Sequence, residues 1–184
     1  MFRSSGNLAH LLLTVALMPG LAACARPAKP AGFIQVDIDT SPTSTDPRYA
    51  TDAISSRIDE LVFDSLVKVD RNLNFVGDLA ESIERPSATT VTFHLRRGIR
   101  FSDGAELTSR DVKFTYDSIL APDSQSAKRG GLRELAAVDA PDPFTVTMTT
   151  RDPYAPALEL AMEAIVPADT PRPARATGAA PPGS

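Results

Sequence analysis

The sequence predicts an α/β fold, and three stretches carry that reading. From Thr89 the chain alternates: Val91, Phe93 and Leu95 point one way, and Thr92, His94 and Arg96 the other. A period of two in residues rich in β-branched and aromatic side chains describes a half-buried strand. Phe144 to Met148 repeats the pattern, with Phe144, Val146 and Met148 on one face. Between the two, Thr108 stands as a helix N-cap, and Asp111 closes a capping-box-like pair with it. Val112, Tyr116 and Ile119 then recur at i, i+4 and i+7, one face of a helix.

Length and composition narrow the chemistry. The 184 residues suffice for one domain with a core, and 42% hydrophobic with 23% charged residues is ordinary for a globular protein. A net charge of -4 argues against nucleic acid as a partner, because phosphate binding needs clustered Lys and Arg. The single cysteine, Cys24, excludes an intrachain disulfide and any cysteine-rich metal site. With His10 and His94 the only histidines, a histidine-based zinc or catalytic centre has almost no raw material. No metal, no cofactor and no catalytic residue are expected.

Taken from the start, residues 1–23 read as a targeting segment. Arg3 precedes an apolar run from Leu8 to Met18 that Pro19-Gly20 ends, too short to span a bilayer permanently and suited to a secretory signal. Leu21-Ala22-Ala23-Cys24 resembles the bacterial lipobox, which implies cleavage before Cys24 and a lipid on its sulfur. A plain signal peptide with an incidental cysteine is the alternative. Residues 24–32 form a proline-bearing tether, and Ala25 after the cysteine leaves the anchoring membrane open. Phe33 to Ile38 alternates like a strand, and the Ser/Thr/Pro-rich run from Asp39 to Pro47 is a loop.

Asp52 is placed to cap a helix whose apolar stripe comprises Ile54, Ile58, Leu61, Val62 and Leu66, with Arg57, Asp59, Glu60 and Asp64 off it. Asp70 to Leu73 is a turn. Ser102-Asp103-Gly104 is another, with Gly104 able to take a positive φ and Asp103 able to bond the backbone two residues on. Ala121-Pro122-Asp123 ends the second helix, Ser124 to Gly131 is loop-like, and Leu132 to Pro143 leads into the strand at Phe144. Residues 168–184 have no aliphatic side chain larger than Ala apart from proline, and read as disordered low complexity.

The string TFHLRRGIRFSDG followed by LTSRDVKFTYDSIL closely resembles the signature of the bacterial family 5 extracellular solute-binding proteins, the peptide, dipeptide and nickel receptors of ABC importers. The agreement rests on spaced positions: Phe93, Leu95, Arg96, Gly98, Phe101, Asp103, Gly104, Thr108, Asp111 and Val112. Gly77 to Glu84 is a second similar string; Ile83 stands where the family usually carries Trp, and Ser102 where many members carry His. The resemblance implies the first lobe of a two-lobed, type II periplasmic-binding-protein-like fold over residues 33–167. It places Thr40, Ser41, Pro42 and Thr43 at the edge of the ligand cleft, although a solvated Ser/Thr loop fits those residues equally well. It implies a proline-bearing helix over Tyr154-Ala155-Pro156 and Leu158 to Met162. The matched region is well under half of the family's usual length, so an incomplete lobe is expected, with a frameshift or premature stop as one explanation.

The expected function is that of a substrate-binding lipoprotein of an ABC importer, for peptides or a similar small solute, held by its anchor at the outer face of a cell-envelope membrane and meeting the permease subunits. Two other classes remain: a structural or adaptor lipoprotein (or a non-functional remnant), and a hydrolase built around His94.

Overall fold

The computed structural model describes residues 41–171, and within them the two alternating segments become neighbouring strands. β1 (Val67–Val69) and β2 (Phe75–Gly77) form a hairpin, followed by β3 (Ala80–Ser87), β4 (Thr90–Leu95), β5 (Leu135–Asp142) and β6 (Thr145–Thr150). The last four make one antiparallel sheet in the order β3-β4-β6-β5. In its centre Phe93 lies opposite Val146 and Val91 opposite Met148, so the apolar faces of both strands register on the same side. Val91, Phe93, Leu95, Val146 and Met148 are all buried there.

Two helices accompany these strands: α1 (Ala53–Val62) precedes β1, and α2 (Ser109–Leu120) lies between β4 and β5. α2 packs on β5 and β6 through Val112, Tyr116 and Ile119, all fully buried. Its N-terminus is the expected capping box: the Asp111 carboxylate accepts from the Thr108 backbone N–H at 2.8 Å and from its hydroxyl at 2.9 Å. Gly104 sits at φ 90°, and the Asp103 carboxylate accepts from Ala105 N–H at 2.8 Å, as the turn chemistry requires. The β1–β2 turn is held by Asp70, which accepts from the N–H groups of Asn72 and Asn74.

Three features differ from the sequence reading. The α1 stripe holds only in part: Ile54 and Ile58 are half-buried, but Leu61 is 75% and Val62 66% exposed, Ser55 and Asp59 are the buried positions, and the helix ends at Val62, before the buried Leu66. Residues 158–162 do not form an α-helix; after Pro153 and Pro156 the chain makes successive i→i+3 turns ending in a single 3-10 turn, Glu159–Ala161. A proline ring cannot donate the hydrogen bonds an α-helix needs, and the short run never escapes its prolines. Third, the stretch leading to Phe144 is itself a strand, β5. A register shift between Leu135 and Ala137 puts the buried Leu135 and Val138 three residues apart, which hides the period of two.

Of the expected organisation, residues 1–23 with the signal, the tether with Cys24, the strand at Phe33–Ile38, Thr40, and positions 172–184 of the tail lie outside the described residues. The described residues belong to one compact unit. At its end Ala168 N–H donates to Asp111 at 2.9 Å, and the Pro171 carbonyl accepts from Arg48 at 2.8 Å.

Candidate functional site

Of the four residues expected at a cleft edge, Ser41, Pro42 and Thr43 are described, and they lead directly onto the start of α1. Asp52 caps that helix, accepting from Ile54 N–H at 3.1 Å and Ser55 N–H at 2.9 Å. The same carboxylate accepts from the Ser55 hydroxyl and from both the N–H and the hydroxyl of Thr43. The Ser55 hydroxyl first, and Thr43 with it, hold the Asp52 carboxyl far below the usual carboxylate range, because every bond favours the ionised form. The Thr43 hydroxyl is therefore already engaged within the chain; Ser41 is exposed and Pro42 half-buried.

Beneath this loop lies a buried cation that sequence reasoning did not single out. Arg48 is fully buried, and its guanidinium bonds the Asp46 carboxylate at 3.0 and 2.7 Å, the Ser118 hydroxyl at 3.3 Å and the Pro171 carbonyl. The Phe114 ring lies 5.4 Å from it. A buried charge is tolerable only with such a set of partners. The residue belongs to the framework, and the nearest signal for it in the sequence is the Asp-Pro-Arg run at residues 46–48.

Among the described residues, two grooves are of note. One, of about 570 Å³, lies along the C-terminal half of α1 and is lined by Asp59, Phe63, Asp64, Lys68, Lys128 and Met162 among others. Asp59 is 7% exposed, and its Oδ1 is the buried side-chain atom among the described residues without a hydrogen-bond partner. Burial pushes its carboxyl above the ordinary range, and the charge of Lys128 offsets that in part. The spacing of Ser55 and Asp59 was the available clue, since i and i+4 share a helix face.

The other groove, of about 520 Å³, lies on the outer side of the sheet, between His94, Arg97, Asp142 and Phe144. His94 sits 3.5 Å from Glu84 and 3.5 Å from the Thr145 hydroxyl. Both distances are longer than the about 2.6–3.2 Å at which a base takes a proton from a hydroxyl. Among the described residues no three metal-ligating side chains converge, and no helix is long and apolar enough to cross a membrane. Neither groove is lined by Ser41, Pro42 or Thr43.

The strand-turn-capped-helix unit and the sheet behind it define the class. The chain belongs to the bacterial extracellular solute-binding proteins, family 5: the model described as the middle part of that family matches residues 74–184. Members are solute-binding receptors of ABC importers, acting at the periplasmic or extracytoplasmic side, rather than enzymes. Among curated proteins the chain is similar to glutathione-binding protein GsiB of Salmonella choleraesuis, 30% identical over 138 residues that make up 73% of this chain and 27% of GsiB. Among solved structures it resembles the binding protein AgaA of A. tumefaciens R10 in complex with agropinic acid, at 31% identity and a TM-score of 0.64 over 70% of this chain and 27% of AgaA. The oligopeptide-binding protein AppA of Bacillus subtilis, in complex with a nonapeptide, follows at 30% identity and TM-score 0.61, over 66% of this chain and 25% of AppA. The chain thus spans about a quarter of the length of these relatives, and its described residues form part of a type II periplasmic-binding-protein fold.

Proposed function

We propose that this chain is the solute-binding lipoprotein of an ABC importer, or a part of one, taking peptides or similar small polar solutes and passing them to permease subunits. The observation that carries the reading is the family membership. Its ligand class is supported by glutathione, agropinic acid and a nonapeptide in the names of three relatives. Cys24 is its lipid anchor, which holds it to an envelope membrane at the extracytoplasmic face. Residues 33–167 are its folded, solute-binding part, and Ser41 to Thr43, with Thr40, edge the cleft.

A two-lobed receptor encloses its ligand and buries most of the ligand's surface. Spanning a quarter of its relatives, this chain offers one wall of such a site, while the entropy of association has still to be met in full. Isothermal titration of the mature chain with di- to pentapeptides should therefore show binding no tighter than about 1 mM, near 4 kcal/mol. Micromolar binding would mean that the 184 residues already make a complete site. For the anchor, labelled palmitate should enter the wild type and not Cys24→Ser; equal labelling would end that part of the proposal.

A further inference from the structure

The groove along α1 is explained neither by the fold nor by the receptor reading. Buried polar atoms in folded proteins nearly always have partners, so an orphan such as Asp59 Oδ1 asks for a donor that the described chain does not supply. The two cations of the groove already have carboxylate partners: Lys128 lies 2.9 Å from Glu163, and Lys68 lies 2.6 Å from Asp78, which also lines the groove. Glu60 and Asp64 add two further carboxylates to the lining, leaving four acidic groups against two basic ones. Phe63, Val69 and Met162 supply an apolar wall beside them, and Val69 and Met162 are partly exposed. A bare metal ion does not fit, because no three ligating side chains converge among the described residues.

We propose that this groove is a binding subsite for a primary alkylammonium group, which sits against the Asp59 carboxyl group while Phe63, Val69 and Met162 cover its aliphatic stem. An ammonium brings three donors to a site with an unsatisfied acceptor, and a charge to a carboxylate that burial disfavours when ionised. The stem removes apolar side chains from water that would otherwise stay wetted. The subsite is separate from the Ser41–Thr43 loop and does not depend on the receptor reading. The group could be carried by a free amine or by the side chain of a lysine-containing peptide.

Amide NMR on the full ¹⁵N-labelled chain tests this. Titration with n-butylammonium should shift Asp59, Glu60 and Phe63 in a saturable manner, and n-butanol should leave them in place. N,N,N-trimethylbutylammonium keeps charge and stem but has no N–H, and should bind at least about tenfold more weakly; Asp59→Asn should weaken n-butylammonium by a similar factor. The trimethyl arm uses wild-type protein, so it decides the matter even if the variant does not fold. Saturable binding of Nα-acetyl-lysine N-methylamide at the same residues would assign the group to peptide lysines, and its exclusion beside a binding butylammonium to free amines. Unmoved amides at Asp59, Glu60 and Phe63, or equal affinity for the primary and the trimethyl ammonium, would overturn the proposal.

Discussion

The two α-helices of the described residues begin alike and end as opposites. Each follows an acidic or hydroxyl cap, and each carries apolar residues at helical spacing. α2 turns its stripe onto the sheet and buries it completely. α1 buries Ser55 and Asp59 instead and leaves Leu61 and Val62 in water. The neighbours account for the difference. α2 faces the side chains of β5 and β6, whereas the loop before α1 offers donors: Thr43 to Asp52 and Ser44 N–H to the Ser55 hydroxyl. Periodicity locates a helix; the partner across from it decides which face goes in.

The largest effect should come from the wall that α2 closes upon. Phe93 is fully buried in the core cluster shared with α2, and Phe93→Ala should cost about 3–5 kcal/mol in urea unfolding. A loss below about 1 kcal/mol would show that this wall is not the core. The direct comparison pairs Ile119→Ala in α2 with Leu61→Ala in α1. The first should cost about 2–5 kcal/mol, the second no more than about 0.5 kcal/mol. Equal losses would mean that α1 is covered after all.

The smallest and most specific test uses the two aspartates of the α1 region, whose shifts have opposite signs. The folded Asp59 carboxyl is raised by burial, so the folded state holds its proton more tightly than the unfolded chain does. Its contribution is therefore favourable at low pH and is lost as pH rises through the ordinary carboxylate value of 3.8 and beyond. Asp52 is lowered by its hydrogen bonds, so its contribution is present above that value and lost as pH falls. Relative to wild type, Asp59→Asn should gain in thermal midpoint as pH rises from about 3 to 7, while Asp52→Asn should lose over the same range. Parallel trends in the two variants would refute the opposed environments.

Much of the fold was legible because its strongest signals are local. The Thr108–Asp111 box, the Gly104 turn and the Val91-Phe93-Leu95 face each depend on residues a few positions apart. β5 was not legible, since its bulge breaks the alternation that would have announced it, and the 158–162 segment was misread because its apolar residues outweighed its prolines. The inward face of α1 depends on Thr43 and Ser44, nine and eleven residues from the side chains they bond. Arg48 and the Asp59 groove are set by tertiary contacts, including Lys128 and Met162, that no window along the chain contains. The family string, by contrast, placed the chain among the solute receptors from its spaced positions alone.

The Arg48 guanidinium has one consequence for how the body comes together. Its bond to Asp46 spans two residues, its bond to Ser118 seventy, and its bond to Pro171 one hundred and twenty-three. Closing so long a loop has an entropic cost that a single hydrogen bond of about 1 kcal/mol cannot meet unaided. The last contact therefore depends on β3 to β6 and α2 holding the chain's end beside residue 48. Arg48 is thus a clasp: an aromatic-shielded cation that joins the first residues of the described chain to the last.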